Sequence, residues 1–260
     1  EDAIQESLLS LREKEMIFQR ETSVIAGTHE HTFKHSILRE VTYESVLRRQ
    51  RQVFHSVVAE WLIENSHDRE GEFLGLIAEH LIRAGLTERA VDFLQMAGEE
   101  AAARYANDEA LAYFSRAIEW ADQTEVGADN RISLYRGRGL VYETLGDFEG
   151  ARRDLEVALQ LARNAGELKG ELRAQLDLGK LWASRDYSKT FDNFESALEL
   201  ARQIDDPALL AHSLNRMGNW YANADCPQDA INYHQEAMTI FDQLGDRAGM
   251  AGTLDLLGMV

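Results

Sequence analysis

A chain of 260 residues and 29.4 kDa, 45 % hydrophobic, has room for one large domain or two ordinary ones and is too apolar for a disordered tail. A formal net charge of −18 repels phosphate backbones, so nucleic-acid binding would demand a local basic patch. The single cysteine, Cys226, excludes an intrachain disulfide, and no apolar run approaches the ~18–20 residues of a membrane helix. With no signal peptide at its start either, the chain is expected in the cytoplasm and away from membranes.

In chain order, Leu8, Leu9 and Leu11 mark the end of a short helix. Met16-Ile17-Phe18 and His31-Thr32-Phe33 then read as short strands around a turn at Gly27, in the manner of a β-wing. Ile37, Leu38 and Val41 open a second helix, and Phe54, Val57, Val58, Trp61 and Leu62 form the stripe of a third. Two shorter units follow, one on Ala78, Leu81, Gly85, Ala90, Leu94 and Ala97, the next on Gly98, Ala110, Phe114 and Ala117.

From there the chain repeats. Gly139, Gly179, Gly218 and Gly258 fall at intervals of 40, 39 and 40 residues, the first three followed three positions later by Tyr142, Trp182 and Tyr221. Some nineteen residues beyond each of those three comes a small residue: Ala158, Ala197 (one position early) and Ala237. Between them lie the pairs Ala151 and Leu155, Thr190 and Phe194, Ala230 and His234. Glycine inside a helix costs roughly 0.5–1 kcal/mol against alanine, so its recurrence implies two antiparallel helices in close approach. Leu145-Gly146-Asp147 and Asn223-Ala224-Asp225-Cys226-Pro227 supply the turns between paired helices.

This small–aromatic–small pattern resembles tetratricopeptide repeats, in a variant about 40 residues long, over roughly residues 74–260. The best match runs from Met217-Gly218-Asn219-Trp220-Tyr221 through Ala230-Ile231-Asn232-Tyr233-His234 to Leu244-Gly245-Asp246-Arg247. One unit departs, with a residue deleted near Ser184-Arg185-Asp186 and Thr190 where alanine is usual. The resemblance implies an all-α, tetratricopeptide-like superhelix of helical hairpins at 71–260, with a small winged-helix-like segment at 1–70 that contains a short β-hairpin. The chain starts at Glu1 without methionine, and its last unit, with Leu254, Leu257 and Gly258, has no second helix. The expectation is a piece of a longer protein, with an open apolar strip of Met250, Leu254 and Leu257 that leaves residues 248–260 either frayed or self-associating.

The run Phe33-Lys34-His35-Ser36-Ile37-Leu38-Arg39-Glu40-Val41-Thr42-Tyr43, with Arg51 and His55, is similar to a junction in large bacterial signalling proteins. There an AAA-type (STAND) ATPase module passes through a winged-helix-like element into repeats, as in adenylate/guanylate cyclase-type members. Ile77-Ala78-Glu79-His80-Leu81 and Arg89-Ala90-Val91 extend the similarity. It implies a sensor or scaffold arm of a signalling ATPase; the alternative is the effector-binding arm of a transcription activator.

No catalytic chemistry, cofactor or metal is expected. Nothing matches G-x-x-x-x-G-K-[ST], and Gly137-x-Gly139 sits inside a helix with no strand before it. His29, His31 and His35 lack a fourth ligand, and Cys226 lacks a companion base. Arg48, Arg49 and Arg51, with Lys34 and Arg39, point to docking on the ATPase domain or to pairing with nearby Glu40 and Glu44 rather than to nucleic acid, because their segment is itself net acidic. The remaining candidate is the groove lined by the first helices of the repeats. Residues four apart face it: Arg136 and Leu140, Leu176 and Lys180, Asn215 and Asn219. Asparagines can hold a peptide backbone and the cations an acidic group, so a protein, a peptide or another domain of the parent chain is the expected partner.

Overall fold

The computed structural model describes residues 2–25, 27–66 and 69–260; Glu1, Ala26, His67 and Asp68 lie outside them. The described residues form thirteen helices and one two-stranded sheet. The chain divides into two compact units, residues 1–97 and 98–260.

In the first unit, α1 (Asp2–Glu13) precedes β1 (Ile17–Gln19) and β2 (His31–Phe33), the two short strands expected from the sequence, which pair antiparallel with Ile17 opposite Phe33. Then come α2 (Ser36–Ser45), α3 (Arg48–Asn65), α4 (Glu70–Ala84) and the start of α5 (Thr87–Ala103). The core of this unit joins Ala59 and Leu62 of α3 to Phe73, Ile77 and Leu81 of α4 and Ala90 of α5. Helices α3 and α4 pack together, and Ala59 and Ala78, both fully buried, stand nineteen residues apart like Gly139 and Ala158. Position 70/71, where the sequence reading changes from junction to repeats, falls inside this helix pair. The α3 stripe also differs from its sequence reading. Leu62 is buried, whereas Phe54, Val57, Val58 and Trp61 are exposed.

The second unit holds the end of α5, then α6 (Asn107–Ala121), α7 (Ala128–Leu145), α8 (Phe148–Ala165), α9 (Leu168–Trp182), α10 (Tyr187–Gln203), α11 (Pro207–Asn223), α12 (Pro227–Leu244) and α13 (Arg247–Met259). Hairpins α7–α8, α9–α10 and α11–α12 stack in sequence through α8 on α9 and α10 on α11, with the first helix α7 also touching α9. Their turns are set locally. Gly146 closes α7 at φ +77°, a conformation with little penalty only for glycine. The next residue, Asp147, caps α8 by accepting from the Gly150 amide; Asp186, Asp206 and Asp246 do the same for α10, α11 and α13. Pro207 and Pro227 open α11 and α12, where no intrahelical amide bond is lost.

The repeated glycines prove to be points of contact. A Cβ on Gly139 would lie 3.0 Å from Leu155, one on Gly179 2.4 Å from Phe194, and one on Gly218 2.5 Å from His234. Each glycine therefore receives a large side chain from the second helix of its own hairpin, and Ala158, Ala197 and Ala237 are fully buried. Gly258, the fourth in the register, has nothing within 4 Å of such an atom. The fold is all-α, built of tetratricopeptide-like hairpins.

Candidate functional site

The first helices α9, α11 and α13 border two adjoining cavities. One, of about 430 Å³, has Phe194 and Trp220 among its apolar walls and Lys180, Arg216, Asn219 and Asn223 among its polar ones. The other, of about 490 Å³, reaches toward Asn215, His212 and Phe241. Arg216, Asn219 and Leu256 line both, so the two form one trough.

Its geometry follows from helical periodicity. Asn215, Asn219 and Asn223 are spaced four apart and lie along one side of α11, while Arg216 occupies the adjacent row. Trp220 is held by its indole Nε1, which donates to the Tyr187 carbonyl at 3.1 Å, and by packing on Phe191 at 4.7 Å between ring centroids. Lys180 reaches across to Glu143 at 3.2 Å, an exposed pair of small energetic weight that a ligand carboxylate could displace. Among the described residues Arg216 has no ionic partner, although the chain carries 45 acidic residues.

The six residues read from the sequence separate in three dimensions. Lys180 and Asn219 meet in the first cavity, Asn215 and Asn219 in the second. Arg136 is bound to Asp177 of α9 at 2.7 Å, tying neighbouring first helices together. Burial pushes the Asp177 carboxyl above its ordinary value, and Arg136 opposes that shift. Leu140 is half-buried outside both cavities, and Leu176 packs into the apolar clusters around Leu172 and Leu214.

Asn215 is engaged on both sides of its amide. Its Nδ2 donates to Thr253 Oγ1 at 2.8 Å, and its Oδ1 lies 3.0 Å from His234 Nδ1, which donates to it. His234 is fully buried with Nε2 unpartnered, and burial pushes its imidazole below the ordinary value. Asn215 thus braces α11, α12 and α13. The sequence reading passed over Arg216, Trp220 and Asn223; continuing the four-residue spacing from Asn219 would have reached Asn223.

Elsewhere, among the described residues no three His, Cys, Asp or Glu side chains gather to hold a metal ion, and no helix is long and apolar enough to cross a membrane. His29 contacts Gln19 at 3.2 Å, and His35 stands at the start of α2 without a capping bond from its side chain. Cys226 is half-buried at the start of α12 and donates weakly to the Ala224 carbonyl.

No protein-family model matches the chain. An uncharacterized protein of Rhizobium meliloti (strain 1021) is 32 % identical over 144 residues, which is 54 % of this chain and 14 % of that protein, so the chain spans a small part of this relative. Among solved structures, aspartyl phosphate phosphatase F from Bacillus subtilis is 14 % identical with a TM-score of 0.66 over 85 % of this chain and 58 % of that one. A signal transduction ATPase with numerous domains from Pyrococcus horikoshii, described with a tetratricopeptide repeat sensor, is 16 % identical with a TM-score of 0.55 over 96 % of this chain and 42 % of that one. At such identities the likeness shows the fold, a tetratricopeptide-like helical repeat.

Proposed function

We propose that the α9–α11–α13 trough binds an extended, acidic peptide segment, and that the chain is a non-catalytic sensor or scaffold arm of a larger cytoplasmic signalling ATPase. The peptide comes from a partner protein or from another domain of the same polypeptide. One observation carries the reading. On a chain of net charge −18, a trough with an apolar wall holds two cations, Lys180 and Arg216, and two amides, Asn219 and Asn223. Asparagine amides donate to and accept from a peptide backbone at once, the cations attract carboxylates, and Trp220 and Phe194 receive an apolar side chain. The likeness to a multidomain ATPase that carries a repeat sensor, and the junction-like run from Phe33 to Tyr43, support placement in such a protein.

The test is selection from a random short-peptide display library on the full chain, followed by fluorescence anisotropy with the enriched peptides. Carboxylate-bearing peptides with an apolar residue should be enriched, and Arg216→Glu should weaken them at least about tenfold. Absence of enrichment, or binding indifferent to Arg216→Glu and Asn219→Ala, would rule the trough out.

A further inference from the structure

Helix α3 presents an apolar face to solvent. Val53, Phe54, Val57, Val58 and Trp61 are 55, 58, 60, 37 and 40 % exposed. They occupy two adjacent rows of four-residue spacing, 53–57–61 and 54–58, the ridges by which helices interdigitate. Single exposed apolar residues are ordinary on a protein surface, but an unbroken stripe along one helix marks a contact surface.

The charges beyond the stripe identify what covers it. At the N-terminal end stand Arg48 and Arg49, and at the C-terminal end Glu64; all three are exposed, and none has an ionic partner among the described residues. Each opposes the dipole of its own helix, because basic groups belong at a C-terminus and acidic ones at an N-terminus. For a second α3 lying antiparallel, the arrangement is reversed and complementary. Arg49 and Glu64 are fifteen residues apart, about 22 Å along the axis, with their midpoint beside Val57. A two-fold axis there sets Val57 on Val57, Val53 on Trp61 and Arg49 beside Glu64 of the other copy.

We propose that two copies of this chain associate through an isologous, antiparallel α3–α3 contact, closed at both ends by Arg49–Glu64 pairs. A two-fold contact uses the same patch twice, so one helix must carry both halves of each ion pair. α3 does. This interface is separate from the trough and from the α13 strip.

Sedimentation of the full chain at micromolar concentrations should show a dimer. Trp61→Glu should raise its dissociation constant at least about tenfold, with far-UV circular dichroism unchanged because the side chain is exposed in the monomer. The charge exchange fixes the geometry. Arg49→Glu and Glu64→Arg should each weaken the dimer alone, whereas an equimolar mixture of the two variants should form a heterodimer, since opposite charges then meet at both ends. A monomeric wild-type chain would overturn the proposal. So would a dimer indifferent to Trp61→Glu, or a mixture no more associated than either variant alone.

Discussion

Three glycines and one glycine of the same register in open space separate steric need from coincidence. Alanine at Gly179 would force its Cβ to 2.4 Å from the Phe194 ring, which a buried ring can relieve only by displacing its neighbours. Gly179→Ala is expected to cost ~1–3 kcal/mol, whereas Gly258→Ala, with nothing near, should be neutral or stabilise α13 by up to ~1 kcal/mol. Thermal melts of the two variants distinguish these outcomes, and equal shifts would contradict the packing. His234 offers a second test at this scale. It occupies the position filled by Leu155 and Phe194 in the preceding hairpins, and burial holds its pKa below the ordinary ~6.5. The unfolded chain takes up a proton that the folded chain resists, so this contribution is complete above pH ~6.5 and is lost as pH falls below it. His55 and His80, whose Nδ1 atoms stand 3.0 Å apart, act in the same direction, chiefly through burial. His234→Leu should therefore flatten part of the loss of stability as pH falls below about 6.5. A melting temperature with unchanged slope against pH would remove His234 from the account.

Between elements, the least exposed of the described ion pairs is Arg138 of α7 with Asp154 of α8. The guanidinium donates twice, at 2.6 and 3.0 Å, to a carboxylate whose side chain is only 5 % exposed. Removing one member strands the other: Asp154→Ala should destabilise by ~3–5 kcal/mol. The double change Arg138→Met with Asp154→Leu should recover most of that loss, because well-packed apolar groups replace such pairs at little cost. Denaturant titration of Arg138→Met, Asp154→Leu and the double variant measures it, and additive losses would mean the pair is not coupled. The cap at Asp147 is worth less. Its carboxylate accepts from the Gly150 amide at 2.9 Å, and Asp147→Ala should cost ~1 kcal/mol.

For the molecule as a whole, thirteen helices stand against two three-residue strands among the described residues. Far-UV circular dichroism should be dominated by helix, and a strand fraction near the ordinary ~20–25 % would contradict the fold. Much of this was legible because it is local: glycine spacing, aspartate caps and proline starts act within one hairpin, and Gly139, Gly179 and Gly218 mark three of them. The earlier pair α3–α4 escaped notice because Ala59 stands where later hairpins carry glycine, and alanine is unremarkable in any helix. The interval from Gly98 to Gly139 is 41 residues, within two of the later ones, and the same close contact recurs there as Phe114 packs on Gly98.

What the sequence by itself determined was therefore the helical class, the positions of close helix contact and the face of α11 that bears Asn215 and Asn219. Tertiary structure alone decided how those faces are spent. Arg136 lies four residues from Leu140 whether it meets a ligand or Asp177, and only the placement of α9 against α7 makes the ion pair. Leu176 and Lys180 share a row of α9, yet neighbouring helices pack against the first, half-burying it, and leave the second at the trough. Asn215 and Asn219 are equivalent by spacing, and His234 and Thr253, arriving from α12 and α13, engage one and leave the other beside Arg216. Periodicity reports which side of a helix a residue is on. What stands opposite is set by chain tens of residues away, and no spacing within one helix encodes it.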